Sequence, residues 1–302
     1  MTTIPPYLNP GDSIGLVCPA GYMPFEKYQT CIETLTGWGF KVITGKTPGN
    51  QFHYFSGTDE ERLTDLQNMM DDKNIHAILC ARGGYGTGRI IDSLDFKKFK
   101  DHPKWIIGFS DITVLQSHLF SNYKIASLHA PMAAAFNDGE FNNHYIQSLH
   151  DALLGRKAIY STPGNEWNKK GKASGILAGG NLSLLTNLIG TPSDIKTKNK
   201  ILFIEDVGEY IYNVDRMMYQ LKRSGKLENL KGLIVGKFTD MKDTTLPFGQ
   251  TTEEAIRDVV KEYDYPICFG FPVSHDKENY ALKIGVKYKL NVSTTLVELK
   301  EI

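Results

Sequence analysis

WIIGFSDIT, residues 105–113, is the stretch that decides the fold. A strand-like run over 105–109 leads directly into Ser110, and a helical pattern begins at residue 112. A serine at such a turn stands between the carboxyl end of a strand and the N-terminus of a helix, which is the arrangement of a nucleophile elbow. The free N–H groups and the positive end of the helix dipole stabilise an oxyanion formed there. The stretch therefore predicts a β–α unit with a nucleophilic serine, as in a serine hydrolase.

Strand and helix patterns alternate throughout the first half of the chain. Repeated β–α units predict a parallel sheet with helices on both faces, and such sheets bind ligands beyond the carboxyl ends of their strands. The predicted strands are 13–18, 41–44, 76–81, 105–109 and 125–128, and the predicted helices are 25–38, 59–70, 86–94 and 112–120.

The composition changes over residues 155–175, which are basic, contain glycine and show no regular period. We interpret this stretch as a domain junction. The second half of the chain has a mixed pattern of strands and helices. Its predicted strands are 202–205, 232–237, 283–290 and 294–299, and its predicted helices are 212–223 and 253–263.

The bulk composition argues against several classes of function. The 302 residues include 34 Lys+Arg and 34 Asp+Glu, so we expect neither a nucleic acid nor an anionic membrane as partner. No apolar run reaches membrane-spanning length and no secretory signal is visible, so we expect a cytoplasmic location. The sequence has no H-E-x-x-H motif and no cluster of Cys and His, so no metal site is expected.

A serine hydroxyl needs a base to take its proton, and the base needs a third group to fix its tautomer. Polar residues at the ends of other predicted strands are the candidates. Glu205 follows the apolar run 201–204, and His275 follows the run 269–274. His129, at the end of the fifth predicted strand, competes with His275 for the role of base. Spacing alone leaves these roles open against ordinary loop positions.

Glycines are concentrated in ARGGYGTGR, residues 81–89, after the third predicted strand. Such a loop lets the backbone approach a ligand and directs N–H groups at an anion. Three interpretations of the loop are open: a phosphate cradle, a second oxyanion donor beside Ser110, and a tight turn without a ligand. The loop matches neither of the phosphate-binding motifs, G-x-G-x-x-G and the P-loop pattern. The backbone N–H of Asp111 is the usual donor next to the nucleophile, although Ile112 breaks the full G-x-S-x-G pattern.

Taken together, these motifs resemble the LD-carboxypeptidase family, the murein tetrapeptide carboxypeptidases, over nearly the whole chain. In many members a glycine precedes the histidine, whereas here Ser274 precedes His275. The motifs that carry the resemblance are GDSIGLVCPA (11–20), ARGGYG (81–86), GFSD (108–111), LHAPM (128–132), GGNL (179–182), IEDVGE (204–209) and FPVSH (271–275).

The resemblance implies a Ser–His–Glu triad. The nucleophile then is Ser110, the base is His275 and the acid is Glu205. The oxyanion donors implied are the backbone N–H groups of Gly84 and Asp111.

The resemblance also implies the α/β fold class and the domain organisation. A Rossmann-like parallel-sheet domain with the nucleophile is expected over residues 1–155, a linker over 156–175, and a smaller β-rich α+β domain with the acid and the histidine over 176–302. It implies a homodimer, and it leaves His129 a role in the pocket or in the structure.

The implied activity is removal of the terminal D-Ala of a murein tetrapeptide across an L,D-peptide bond, through an acyl-enzyme and without a cofactor, as part of peptidoglycan metabolism. An exopeptidase must recognise a free carboxylate, and Arg82 is the nearest arginine candidate. One alternative is hydrolysis of peptide-nucleotides or aminoacyl-sulfamoyl adenylates, as in the microcin-immunity members, with Trp167 or Tyr212 stacked on the base. Two others are a non-catalytic two-domain ligand-binding protein and a nucleotide-binding enzyme that uses residues 83–88.

Overall fold

The computed structural model describes residues 2–137 and 143–302. The chain divides into two compact units, Met1–Arg156 with Tyr280–Lys283 and Lys157–Asn279 with Ile284–Ile302. Across the described ranges, no helix combines the length and the apolarity needed to cross a lipid bilayer.

The strands are β1 (Ser13–Val17), β2 (Lys41–Thr44), β3 (Ala77–Cys80), β4 (Trp105–Gly108), β5 (Ser127–His129), β6 (Ile159–Pro163), β7 (Gly171–Asn181), β8 (Lys200–Val207), β9 (Gly232–Thr239), β10 (Ile267–Cys268), β11 (Leu282–Ile284), β12 (Lys287–Val292) and β13 (Leu296–Glu301). The helices are α1 (Gln29–Gly37), α2 (Asp59–Asp71), α3 (Thr87–Ile90), α4 (Lys97–Asp101), α5 (Thr113–His118), α6 (His144–Leu153), α7 (Leu182–Asn187), α8 (Ile211–Arg223) and α9 (Thr252–Val260).

The first unit is built on a sheet with the strand order β11-β5-β4-β3-β1-β2. Its strands β1 to β5 pair in parallel, which confirms the predicted parallel sheet. Strands β3 and β4 are apolar and buried at every position, as expected for a sheet covered on both faces. Because β3 and β4 are neighbours, the glycine-rich loop and the serine turn that follow them start side by side.

The second unit is built on a mixed sheet with the strand order β10-β9-β8-β7-β12-β13-β6. Strands β7 to β10 pair in parallel, whereas β7, β12, β13 and β6 pair antiparallel in succession. The buried and exposed positions alternate along β6 and β12, as expected where one face of a sheet is solvated. The predicted combination of a parallel-sheet unit and a β-rich second unit is confirmed.

Several elements differ in extent from the sequence prediction. The strand predicted over 283–290 is two strands, because Gly285 has a φ of +88° and ends β11, and β12 joins the other sheet. The helix predicted over 86–94 is a single turn, α3, continued by a 3₁₀ turn at Ile91–Ser93. Strand β6 and the first residues of β7 lie within 156–175, the stretch predicted as a linker.

Candidate active site

Ser110 follows β4 in a strained conformation. Its φ is +61°, whereas Phe109 before it is extended, and a 3₁₀ turn over Ser110–Ile112 leads into α5. A non-glycine residue in the left-handed region is costly, and a nucleophile elbow has this kind of strained turn. Gly108 has a φ of +154°, and a Cβ there would lie 3.0 Å from Ile112 Cγ1, so the turn also needs glycine at this position.

The glycine-rich loop packs directly against the serine turn. A Cβ at Gly83 would lie 2.9 Å from Ser110 Cβ and 3.2 Å from both Ser110 Oγ and the backbone nitrogen of Asp111. The next residue, Gly84, is exposed and has a φ of +95°. The close approach therefore depends on the absence of a side chain at position 83.

Buried polar side chains hold the loop in place. The carboxylate of Asp111 accepts a hydrogen bond of 2.8 Å from the backbone N–H of Thr87. Burial raises the pKa of Asp111, and hydrogen bonds from Thr87 and Gly86 offset part of that effect. The buried guanidinium of Arg62 donates to the carbonyl oxygens of Pro19 and, at 3.1 Å, Gly86. The Asp111 side chain thus has a structural role, which leaves its backbone N–H as its predicted contribution to catalysis.

The two other predicted residues of this unit have different surroundings. Arg82 is exposed, and one of its guanidinium nitrogens donates to the carbonyl oxygen of Tyr22. His129 ends β5, is paired in register with Gly108 and is fully buried, with its ring 5.7 Å from that of Phe109. His129 therefore lies beside the end of β4, whereas Arg82 contributes to the structure of the loop.

In the second unit, the predicted acid and base are hydrogen-bonded to each other. Glu205 lies on β8 with its side chain 0% exposed, and its Oε2 accepts from Nδ1 of His275 at 2.7 Å. The His275 side chain is 16% exposed. A carboxylate on Nδ1 fixes the ring orientation and the tautomer that suit proton transfer at Nε2. The geometry of this pair is that of the acid and base in a serine-hydrolase triad.

A second buried carboxylate, Asp206, adjoins this pair. Burial alone lowers the pKa of His275, but the charge and hydrogen bond of Glu205, together with the charge of Asp206, raise it above its usual value. Asp206 is 2% exposed and accepts from Asn181 Nδ2 at 2.8 Å and from the Ser183 N–H at 2.9 Å. Burial, and then the charge of Glu205, raise its pKa to about 6 against these hydrogen bonds. From the sequence alone, Asp206 is not distinguishable from a solvent-exposed acidic residue in a loop.

An irregularity in the sheet positions the histidine loop, the loop after β10 that contains His275. The pairing of β8 with β9 shifts register between Ile204 and Asp206. A Cβ at Gly236, on β9 at this shift, would lie 2.4 Å from the carbonyl oxygen and 2.6 Å from Cγ1 of Val273. The segment that leads into His275 thus crosses β9 where a glycine leaves room for it.

Ser274, which replaces the glycine found in many members of the resembled family, closes the loop after the histidine. Its buried hydroxyl donates to the carbonyl oxygen of Glu278 at 2.9 Å and accepts from the N–H of Asp276 at 3.0 Å. The serine is accommodated with the His275–Glu205 hydrogen bond in place. Among the residues that the structure describes, no group of three or more His, Cys, Asp or Glu is arranged to hold a metal ion.

The two aromatic candidates for base stacking have different environments. The ring of Trp167 faces the guanidinium of Arg257, whose Cζ lies 4.6 Å from the ring centroid. Tyr212 is exposed at the start of α8, stacks on Tyr210 with the ring centroids 5.5 Å apart, and has the guanidinium Cζ of Arg216 5.5 Å from its ring centroid. Of the two residues, Tyr212 is the more exposed.

A strained strand–serine–helix turn and a buried Glu–His pair are the features of an α/β serine hydrolase. Residues 14–130 match the LD-carboxypeptidase N-terminal domain and residues 174–290 match the LD-carboxypeptidase C-terminal domain. The chain belongs to the LD-carboxypeptidase family, whose members are serine peptidases, and this confirms the resemblance seen in the sequence.

Individual relatives agree with this assignment. The chain is 36% identical over 301 residues to the "Probable murein peptide carboxypeptidase" of Bacillus subtilis (strain 168), covering 97% of this chain and 94% of the relative. It superimposes on the crystal structure of muramoyltetrapeptide carboxypeptidase from Oxalobacter formigenes with a TM-score of 0.87 and 27% identity, over 96% of this chain and 98% of that one. The microcin C7 self-immunity protein MccF, in complex with aspartyl sulfamoyl adenosine, has the same fold, with a TM-score of 0.88, 23% identity and 99% of each chain covered.

Proposed function

We propose that this protein is a murein tetrapeptide carboxypeptidase, which removes the terminal D-Ala across an L,D-peptide bond through an acyl-enzyme. The observation that carries the proposal is the 2.7 Å hydrogen bond between Glu205 and His275, with the acid completely buried, in a chain of the LD-carboxypeptidase family. The left-handed φ of +61° at Ser110 supports its role as the nucleophile. The names of the relatives from Bacillus subtilis and Oxalobacter formigenes support the substrate class.

In this mechanism, Ser110 Oγ attacks the carbonyl carbon of the scissile bond. Nε2 of His275 accepts the serine proton and then donates it to the leaving nitrogen of D-Ala. Water releases the acyl group by the same steps, with His275 again acting as the base. Glu205 keeps the imidazole in the required tautomer and stabilises its transient positive charge. The raised pKa of His275 favours proton capture during the attack.

The oxyanion of the tetrahedral intermediate is bound by the backbone N–H groups of Gly84 and Asp111. Each such donor lowers the barrier by about 3 kcal/mol. The close approach of Gly83 to Ser110 and Asp111 supports this role, because it brings the glycine-rich loop to the nucleophile. Arg82, exposed beside that loop, is proposed to assist in binding the substrate carboxylate through the donors it does not use on the chain.

Three further features are proposed from the family resemblance. The nucleophile belongs to a domain over residues 1–155, and the acid and base belong to a domain over 176–302; residues 156–175, predicted as the linker, contain β6 and the start of β7 of the second sheet. The protein is cytoplasmic and forms a homodimer, and light scattering after size-exclusion chromatography tests the dimer. His129, fully buried beside the end of β4, supports the substrate site from beneath.

Mass spectrometry of a murein tetrapeptide digest tests the proposed reaction. We expect the wild type to release one alanine per peptide, and Ser110→Ala and His275→Ala to release none. Ser224→Ala, a change at an exposed serine after α8, serves as the matched control and should retain full activity. Equal alanine release by the wild type and Ser110→Ala would remove Ser110 from the mechanism.

The same variants test the alternative functions. Aminoacyl-sulfamoyl adenosine, incubated in parallel, tests the second substrate class, for which the exposed ring of Tyr212 is the candidate stacking surface. A non-catalytic binding protein would retain ligand affinity in Ser110→Ala and show no turnover with either substrate.

A further inference from the structure

A tyrosine hydroxyl lies against the glycine-rich loop at the predicted oxyanion donor. A Cβ at Gly84 would lie 2.6 Å from Tyr54 Oη and 3.5 Å from its Cζ. Tyr54 is 51% exposed, and within residues 2–137 and 143–302 its hydroxyl makes no hydrogen bond. The hydroxyl is therefore available to a ligand that binds at Gly84.

The ring and the backbone of Tyr54 each have a contact that favours this position of the hydroxyl. The Tyr54 ring packs edge-on against Phe55, with the centroids 5.4 Å apart and the planes at 85°. Phe55 in turn lies under the guanidinium groups of Arg62 and Arg89, at 4.9 Å and 5.5 Å. The carbonyl oxygen of Tyr54 accepts from the N–H of Tyr22 at 3.0 Å. These contacts reduce the reorganisation that the hydroxyl needs when a substrate binds.

The guanidinium group of Arg82, on the same loop, already uses one of its donors within the chain. One nitrogen of Arg82 donates to the carbonyl of Tyr22, and its Nε would lie 3.4 Å from a Cβ at Gly21. The Arg82 side chain thus runs along the segment that also holds Tyr54. The Tyr54 hydroxyl is therefore a second polar group, besides Arg82, that can contact a carboxylate bound at this loop. The packing of the Tyr54 ring does not require this hydroxyl.

We propose that Tyr54 is a substrate-binding residue whose hydroxyl donates a hydrogen bond to the terminal carboxylate of the peptide. The inference rests on the proposed carboxypeptidase function, since only an exopeptidase must distinguish a free terminal carboxylate from a continuing chain. A hydroxyl donor suits this task because O–H···O⁻ bonds are short and stronger than neutral hydrogen bonds. The group recognised is thus the carboxylate of the leaving residue.

Tyr54→Phe removes the hydroxyl and keeps the ring, so the packing on Phe55 is retained. Steady-state kinetics with a murein tetrapeptide and with the same peptide ending in D-alaninamide test the proposal. On the free acid, we expect KM to rise roughly 10- to 100-fold with kcat changed by less than about twofold, because one hydrogen bond to a charged group is lost. On the amide, wild type and Tyr54→Phe should react alike. Tyr219→Phe, at an exposed tyrosine on α8, is the control.

The outcomes separate this inference from the function on which it rests. If the wild type is active and Tyr54→Phe matches it on both peptides, the proposed role of Tyr54 is refuted alone. A fall in kcat at constant KM on both peptides also refutes it, since the hydroxyl then acts on the oxyanion. If the wild type releases no alanine or alaninamide, the carboxypeptidase function fails, and the inference fails with it.

Discussion

Replacing Gly236 by alanine tests how the histidine loop is positioned. The new Cβ would lie 2.4 Å from the carbonyl oxygen of Val273 and 2.6 Å from its Cγ1, whereas ordinary contacts begin at 3.4 Å. The obstacle includes backbone, so the segment before His275 must move by about 1 Å. Overpacking of this kind costs about 1–3 kcal/mol of stability. A shift of about 1 Å in a catalytic base lowers the rate about 100-fold.

The assay is alanine release from a murein tetrapeptide at saturating substrate, with a thermal melt on the same preparation. We expect Gly236→Ala to remain folded, with a lower melting temperature and a kcat about 100-fold below that of the wild type. The matched control is Gly37→Ala, because a Cβ at this helical glycine meets no atom within 4 Å. A Gly236→Ala variant with wild-type kcat and melting temperature would show that the loop does not depend on this contact.

Three other substitutions test the candidate residues of each unit separately. Gly83→Ala places a Cβ 2.9 Å from Ser110 Cβ, so we expect kcat/KM for the tetrapeptide to fall at least about tenfold, and an unchanged value would contradict the close packing. Glu205→Gln removes the charge that raises the pKa of His275, so the acid limb of the kcat/KM profile should move to lower pH. We also expect kcat to fall about 10³- to 10⁴-fold. An acid limb at the wild-type pH would refute the effect of Glu205 on the His275 pKa. Asp206 has a pKa of about 6 in the folded protein, against 3.8 for an ordinary aspartate in the unfolded chain. Because the folded state must give up a proton that it binds more tightly, wild-type stability falls by about 3 kcal/mol as the pH rises through that window. Asp206→Asn should therefore gain stability relative to the wild type between pH 4 and pH 7 in urea titrations, and parallel curves for the two proteins would exclude this effect.

The sequence predicts local features of the fold well and long-range contacts poorly. The turn at Ser110 was predictable because an apolar strand, a glycine and a helix start are adjacent in the chain. The split of the predicted strand 283–290 was not, because Gly285 adopts a φ of +88° only where β11 and β12 join different sheets. The need for glycine at Gly236 has the same origin, since Val273, the residue it accommodates, is distant in sequence.

The candidate site shows the same division. Strand-end placement selected Glu205, His275 and His129 as candidates, but spacing could not decide which histidine pairs with the acid. The 2.7 Å hydrogen bond on the second sheet supports His275, whereas His129 is buried in the first sheet beside β4. Asp206 was not separable from a solvated loop acid, because its burial depends on donors from Asn181 and from the following turn.

The adjacent buried carboxylates Glu205 and Asp206 need a physical explanation, because two neighbouring negative charges in a protein interior repel each other. Asp206 accepts hydrogen bonds from Asn181, Ser183 and Val207, which offset part of its desolvation, yet its pKa is still raised to about 6. The negative charge of Glu205 is instead compensated whenever His275 is protonated, because the imidazolium is hydrogen-bonded to its carboxylate. The proton taken from the serine in the proposed mechanism thus places a positive charge beside two negative ones. Such an arrangement stabilises the transition state more than the resting enzyme, which is the condition for an electrostatic contribution to the rate.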